Sequence, residues 1–211
     1  SNIVIGGTSE TVLADAEIFN GSNYGSTNSL YTFLEKKIKK LTLSFGCRYD
    51  FINIKTDKKI SIESGDTTNN FSVNFPLFYT GMKYKINPKN SLRAYWGQGI
   101  RFPSIAEMFV FTNAQRGTYI YPNTSLKPEY GWSFELGYNF KKQEEDRLLS
   151  VDIAYFIMQY HDMMEFGFAQ WGTIYDMEHA YGLGFKTINI GMTQISGAEI
   201  ELKAEIPILS H

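Results

Sequence analysis

From Tyr130 to Phe140 the chain alternates without an error. Tyr130, Trp132, Phe134, Leu136, Tyr138 and Phe140 fall on one side; Gly131, Ser133, Glu135, Gly137 and Asn139 fall on the other. Strand side chains point to opposite faces with period two, so this segment is a strand with one apolar and one polar face. Its length matches a tilted strand crossing a bilayer, and aromatics stud its apolar face, as on a lipid-facing strand. Such strands are stable in lipid only when their edges are paired, which points to a membrane barrel.

Composition is consistent with that constraint. The mean hydropathy is -0.24, as expected when only half of each crossing strand is apolar, and no apolar run reaches the length of a transmembrane helix. Aromatics are abundant, at 16% of the chain with 14 Tyr and 16 Phe. The formal net charge is -2 and no basic stripe appears, so nucleic acid is not an expected partner. A single cysteine, Cys47, excludes an internal disulfide and a multi-cysteine metal site. No signal peptide opens the chain, so a mature or trimmed exported chain is expected.

The patterning predicts strands near 29–37, 41–53, 71–86, 91–99, 130–141, 147–160 and 192–206. Their connections alternate between short and long. Ile38-Lys39-Lys40, Asn87-Pro88-Lys89-Asn90 and Lys142 to Asp146 are short, whereas 54–70, 100–129 and 161–191 are long. Tight turns join antiparallel neighbours, and an outer-membrane barrel places its short turns inside and its long loops outside. Leu41, Leu43, Phe45, Cys47, Tyr49 and Phe51 alternate with Thr42, Ser44, Gly46, Arg48 and Asp50. Leu149, Val151, Ile153, Tyr155 and Ile157 oppose Ser150, Asp152 and Ala154. Ala198, Ile200, Leu202, Ala204 and Ile206 oppose Gly197, Glu199, Glu201, Lys203 and Glu205. The charged set faces water or a polar partner, since hydrocarbon penalises it heavily. Phe51, Trp96, Tyr130, Trp132 and Tyr155 are expected near the outer interface, and Tyr84, Tyr138 and Phe140 near the inner one. The strands near 29–37 and 71–86 leave both face assignments open.

The motifs add a resemblance. Gly99-Ile100-Arg101-Phe102-Pro103-Ser104-Ile105-Ala106-Glu107-Met108-Phe109 resembles the Phe-Arg-Ala-Pro-Ser/Thr stretch of TonB-dependent outer-membrane receptors, with Ile100 and Phe102 as departures. Asn123-Thr124-Ser125-Leu126-Lys127-Pro128-Glu129 is similar to their Asn-Pro-x-Leu-x-Pro-Glu, and leads into Trp132-Ser133-Phe134-Glu135-Leu136-Gly137. Gly46-Cys47-Arg48-Tyr49-Asp50 and Ile195-Ser196-Gly197-Ala198-Glu199-Ile200-Glu201 echo two further strand motifs, so the resemblance spans roughly 41–205. The motif residues are thus Arg101, Pro103, Glu107, Leu126, Pro128, Glu129, Glu135, Gly137, Gly197 and Glu199. Pro103 and Pro128 suit strand ends. Arg101, Glu107, Lys127 and Glu129 fall where strands leave the membrane, and fixing loop conformation by ion pairs is their favoured role.

The resemblance implies an all-β, antiparallel, up-and-down transmembrane barrel of about 22 strands, of which this chain supplies an incomplete portion of about seven or eight. Residues 1–211 are expected to be part of a single barrel domain in the bacterial outer membrane, with the plug, its TonB-contact segment and the final aromatic-ending strand not in view. It implies uptake of a scarce nutrient such as a ferric siderophore, haem or cobalamin, driven by TonB and the proton gradient. No catalytic residue and no cofactor are expected, since a metal chelate is transported substrate. The expected partners are outer-membrane lipid, the TonB complex through an absent N-terminal part, and the chelate. Ligand contacts are expected from Arg116, Tyr119 and Tyr121 in one loop, and Tyr160, His161, Met163, Met164, Trp171, Tyr175 and His179 in another. Aromatic rings and Arg suit a planar, anionic chelate. Ligation of haem iron by the His161–Met164 run and His179 is a narrower option.

Three alternatives remain at this stage. A complete small barrel, acting as pore or anchor, would draw an eighth strand from near Ile3-Val4-Ile5 and pair its first and last strands. A soluble β-sandwich binding module would pack its apolar faces together. An enzyme would need a nucleophile and base or a metal cluster, and the sequence holds neither Gly-x-Ser-x-Gly nor His-Glu-x-x-His.

Overall fold

The structure is a computed structural model and describes residues 1–16, 21–56, 70–115, 118–144, 147–175 and 177–205. Eight long strands form one sheet: β1 (Asn2–Ala16), β2 (Gly21–Ile38), β3 (Leu41–Thr56), β4 (Asn70–Lys85), β5 (Asn90–Arg101), β8 (Glu129–Glu144), β9 (Arg147–His161) and β12 (Thr193–Glu205). All pairs are antiparallel, in the order β1-β2-β3-β4-β5-β8-β9-β12. Each of the seven predicted strands is present; Ile206 in the last of them, Asp146 in the short connection Lys142 to Asp146, and residues 57–69 of the predicted connection 54–70 lie outside the described residues. The segment around Ile3 does form an eighth strand, but β1 and β12 do not pair. The sheet is therefore an open portion of a barrel wall, and the closed eight-stranded barrel is ruled out. The outer face is not packed into a sandwich either: Leu136, Ile153, Ile200 and Leu202 stand exposed on it.

The open face assignments resolve through the register. Tyr84, Met82, Phe78 and Pro76 pair with Leu41, Leu43, Cys47 and Tyr49, so the even-numbered side of β4 faces outward. Near the loop end the polarity inverts. The outward set of β4 becomes Asn74, Ser72 and Asn70, while the inward set becomes Phe75, Val73 and Phe71. On β3 the same happens, with Asn53 and Lys55 outward and Ile52 and Ile54 inward. A strand that leaves hydrocarbon for water must exchange its faces in this way, and one that carries both phases has no single readable alternation. This exchange marks the outer interface. Phe51 sits at it opposite Asn74, and Trp132 stands opposite Gln98 with its indole N–H donated to Gln159 Oε1 at 3.0 Å. Tyr84, Tyr138 and Phe140 lie at the turn end, opposite Leu41, Leu92 and Asn90.

The turns follow their chemistry. Lys39 takes a positive φ of 53° in the hairpin between β2 and β3. The Asn87 carboxamide accepts from the Lys89 and Asn90 amides, an Asx-type turn between β4 and β5. The ladder between those two strands covers only Tyr79–Lys85 against Ser91–Gly97. Among the described residues the upper half of β4 therefore has no ladder partner on that side, which explains how Pro76, lacking an amide hydrogen, is accommodated within a strand.

On the inner face small and large residues stand opposite each other. Tyr95 faces Gly81, Phe156 faces Gly197, Tyr160 faces Gly131 and Arg93 faces Gly137. In each pair a Cβ on the glycine would run into the opposing side chain. At Gly137 the gap lets the Arg93 guanidinium cross β8. It donates from Nε to Glu135 at 2.7 Å and from both terminal nitrogens to Asp152 on β9 at 2.7 Å. Asn139 adds a 3.0 Å bond to the same carboxylate. A bidentate, charge-assisted pair of this kind ties β5, β8 and β9 together across the lumen face. Gly137→Ala is expected to push Arg93 off Asp152 and lower stability of the full receptor by about 1–3 kcal/mol, the typical loss for charge-assisted bonds. Thermal unfolding of the detergent-solubilised protein measures this, and an unchanged midpoint would refute the role given to Gly137.

Candidate functional site

The long connections are not structureless. Residues 100–129 contain a helix, α1 (Ile105–Phe109), and two short strands, β6 (Thr112–Gln115) and β7 (Thr118–Tyr121). Residues 161–191 contain β10 (Met164–Gln170) and β11 (Leu183–Asn189). These form a second sheet in the order β10-β11-β7-β6, with β11 and β7 parallel. Two loops that sequence reading treats separately thus make one body above the wall.

Helix α1 starts with a capping box. Ser104 Oγ accepts from the Glu107 amide at 3.2 Å, and the Glu107 carboxylate accepts from the Ser104 amide at 2.8 Å. Its Ile105, Met108 and Phe109 bury against Ile52, Ile54, Leu126 and Met164, forming the apolar core at the outer end of the inner face. A cavity of ≈ 550 Å³ remains between the segment entering α1 and the upper ends of β1, β2 and β3.

Arg101 holds this body to the wall. It donates to Glu107 Oε1 at 2.9 Å and to Glu129 Oε2 at 3.3 Å, and Glu129 Oε2 also accepts the Met164 amide at 3.1 Å. One guanidinium therefore reaches the helix, the start of β8 and, through Glu129, the start of β10. Lys127 is fixed by its backbone rather than its charge: its N–H donates to Asn189 Oδ1 and its carbonyl accepts from Asn189 Nδ2, both at 3.0 Å. Asn189 Nδ2 also donates to the Asp162 carbonyl at 2.7 Å. Asn123 Nδ2 donates to the Thr187 carbonyl at 2.8 Å. Burial pushes the Glu107 carboxyl up, but donation from Arg101 and Ser104 outweighs it and holds the group below the usual carboxylate range.

The structure gathers some of the predicted ligand residues and not others. Tyr119, Tyr121 and His179 share one cluster with Phe111: the Phe111–Tyr119 ring centroids are 5.6 Å apart and Tyr119–His179 4.7 Å. Tyr121 donates its hydroxyl to the His179 carbonyl and lies against Gly172 and Gly184. Trp171 is adjacent, with the Lys186 ammonium 5.5 Å from its ring centroid. Tyr175 is strongly exposed at 84%. Elsewhere, His161 stacks on Tyr130 at 5.0 Å, Tyr160 points its hydroxyl at the Met158 sulfur, and Met164 is buried in the core. Met163 makes backbone bonds to Ile190 and Gly191. His161 and His179 thus occupy separate aromatic groups. Arg116 lies outside the described residues. Among the described residues no group of three or more His, Cys, Asp or Glu side chains is placed to hold a metal. Sequence reading missed Phe111 and Lys186; neither carries a motif, and only the β6–β7 hairpin and the parallel pairing of β7 with β11 bring them to the cluster.

An open antiparallel sheet with an apolar outer face and a charged inner face is part of the wall of an outer-membrane β-barrel. The chain belongs to the TonB-dependent receptors: the sequence model of the family's "TonB dependent receptor-like, beta-barrel" region matches residues 5–210. Among solved structures it is similar to a double mutant of the Serratia marcescens hemophore receptor HasR in complex with its hemophore HasA and heme. That match has a TM-score of 0.71 at 16% identity and covers 97% of this chain and 38% of that one. It is also similar to the copper transporter OprC, with a TM-score of 0.68 at 15% identity over 94% of this chain and 32% of the other. The FrpB iron transporter from Neisseria meningitidis gives a TM-score of 0.56 at 16% identity over 85% and 23%. At these identities the likeness is one of fold, and the chain spans well under half of each structure. A search of curated proteins found no match.

Because the folded-state pKa of Glu107 is depressed, the stability it contributes is present above the ordinary carboxylate range, about pH 4, and is lost as pH falls through the folded value. Protection of the amides of 104–109, measured relative to the intrinsic exchange rate at each pH, is expected to fall on acidification. Glu107→Gln should already show that lower protection at neutral pH and a flatter acid response; a variant that titrates like the parent protein would exclude Glu107 as the source.

Proposed function

We propose that this chain forms part of the wall and outer mouth of a receptor that captures a scarce nutrient chelate, a ferric siderophore, haem or cobalamin, and passes it inward with energy from TonB and the proton gradient. The observation that carries this reading is the aromatic cluster of Phe111, Tyr119, Tyr121 and His179, placed on and beside the loop sheet above a membrane-spanning wall. Flat rings offer stacking surface to a planar or aromatic chelate, and the barrel interior offers its path. Residues 1–211 act as part of one barrel domain, and the TonB contact and the plug are supplied by another part of the full protein. Transport breaks no bond in the ligand, so the chain needs no catalytic group. The metal travels as part of the substrate.

Deleting the full-length gene is expected to abolish growth on one iron, haem or cobalamin source supplied at limiting concentration, and a protonophore should abolish the corresponding uptake in the parent strain. Growth unchanged on every source would refute the reading. Replacing Phe111 and Tyr119 together by Ala should weaken binding of the transported chelate about tenfold, the scale of one or two lost ring contacts. Equilibrium binding to the purified full-length receptor measures that loss.

A further inference from the structure

Inside the wall the sheet is unzipped at one place. β4 and β5 pair only from Tyr79–Lys85 against Ser91–Gly97, whereas β3 holds β4 as far up as Asn70. A Cβ on Gly97 would meet Tyr79 at 3.3 Å, but one on Gly99 would meet nothing within 4 Å, so the two strands part between these glycines. Above Arg101 the chain turns across the inner face and buries Ile105 against Ile52 and Ile54. It leaves behind the edge of β4 from Asn70 to Phe78. Backbone groups alternate sides along a strand, and the Phe78 N–H points toward β5, where it donates to Gln98 Oε1 at 3.1 Å. Pro76, Asn74 and Ser72 aim their backbone groups the same way. Gln98 thus occupies the Phe78 amide, and Pro76 has no amide hydrogen to offer. Both positions lie in the apolar part of the strand, where a bare donor would meet lipid. Ser72 and Asn74 lie at and above the outer interface, exposed, with no ladder partner on that side among the described residues.

We infer that the β4 edge from Asn70 to Asn74 is a docking site for an extended segment of a second polypeptide, which adds a strand where β5 leaves the wall. Strand addition takes its affinity from main-chain hydrogen bonds and its specificity from alternate side chains. Here Ser72 and Asn74 offer both N–H donors and carbonyl acceptors. Phe71, Val73 and Phe75 are half-buried on the lumen side and Ser72 and Asn74 exposed on the other, so the fitting segment alternates apolar and polar residues. The Tyr130 ring reaches toward Phe75, with centroids 6.1 Å apart, and adds an apolar wall without a main-chain partner. At the foot of the edge a cavity of ≈ 530 Å³, walled by Tyr31, Arg48, Leu77, Tyr79 and Ile100, has room for the segment's terminal side chain. A second copy of this chain fits poorly. Copies inserted in one membrane run β4 in the same direction, which excludes the antiparallel pairing that joins every strand of this wall and leaves only the weaker parallel kind. An exposed edge recruits a strand unless it is blocked, and the blocks on β4 stop at Pro76. The inference does not depend on which nutrient is transported.

Hydrogen exchange and fluorescence anisotropy on the purified full-length receptor test it. The probe is a labelled peptide of about eight residues with alternating Val and Thr, a length that spans the free edge. Its control is methylated on every amide nitrogen, which keeps the side chains and removes the donors. The Ser72 and Asn74 amides should exchange near their intrinsic rate in the free receptor and slow by about tenfold or more under saturating peptide. Methylation of the peptide, or Ser72→Pro together with Asn74→Pro in the receptor, should weaken binding by about tenfold or more, the scale of two lost hydrogen bonds. Both amides point away from β3, so the substitutions spare that ladder, and the thermal midpoint reports whether the fold is kept; the methylated control reads the same bonds on the unaltered receptor. Protection of these amides in the receptor alone would overturn the inference, showing the edge covered by another part of the receptor or, where protection follows dimer formation, by a second copy. Failure of the peptide to bind, or equal binding of its methylated control, would overturn it as well. The uptake reading stands or falls separately, by the growth assay on defined sources.

Discussion

Hydrocarbon offers no hydrogen bonds, and the arrangement of this chain follows from that. Each long strand must find partners on both sides or meet lipid with bare amides and carbonyls. The ladder from β1 to β12 meets this demand internally, except along the loop half of β4 on its β5 side, and presents its two outer edges, on β1 and β12, for continuation of the wall. Side-chain identity follows from the same source. Leu, Ile and aromatic residues face outward between the interfaces, and the faces exchange polarity where β3 and β4 rise into water.

Above that boundary the backbone is free to leave the ladder, and polar side chains take over its role. Arg101, Glu129 and Asn189 do most of this, because each satisfies backbone or charged groups on more than one element. The pairing of Asn189 with Lys127 copies a backbone rung with a carboxamide. The two loops are joined in one hydrogen-bonded sheet, and a recognition surface built on paired backbone has less conformational entropy to lose when it binds than one built on free loops.

Much of the wall is legible in the sequence, and the reason is physical. A strand between lipid and lumen has two environments for its whole length, so Tyr130 to Phe140 could be read residue by residue. Phe71 to Lys85 resisted because it crosses from membrane to water and its two halves obey opposite phases. Helix α1 escaped notice although Ser104 and Glu107 spell its capping box; with Ile105–Phe109 as its whole length it leaves no periodicity to detect. The strands β6, β7, β10 and β11 are short, and the pairing that joins the two loops, β7 with β11, spans a long sequence separation that no local signal encodes. The aromatic cluster inherits that difficulty: Tyr119, Tyr121 and His179 were identifiable as residue types suited to a ligand, whereas their meeting with Phe111 and Lys186 depends on loop-to-loop registration.

The glycine-opposed rings of the inner face bear on how the barrel assembles. A two-residue slip is the smallest shift that keeps each strand's faces correct, so hydrophobic patterning alone does not forbid it. Slipping β5 against β4 in that way would set Tyr95 against Tyr79 or Lys83 in place of Gly81. Slipping β8 would set Arg93 against Glu135 or Asn139 in place of Gly137, closing its route to Asp152. Each such pair fits one position, so these glycines favour the correct strand register as well as making room in the finished wall.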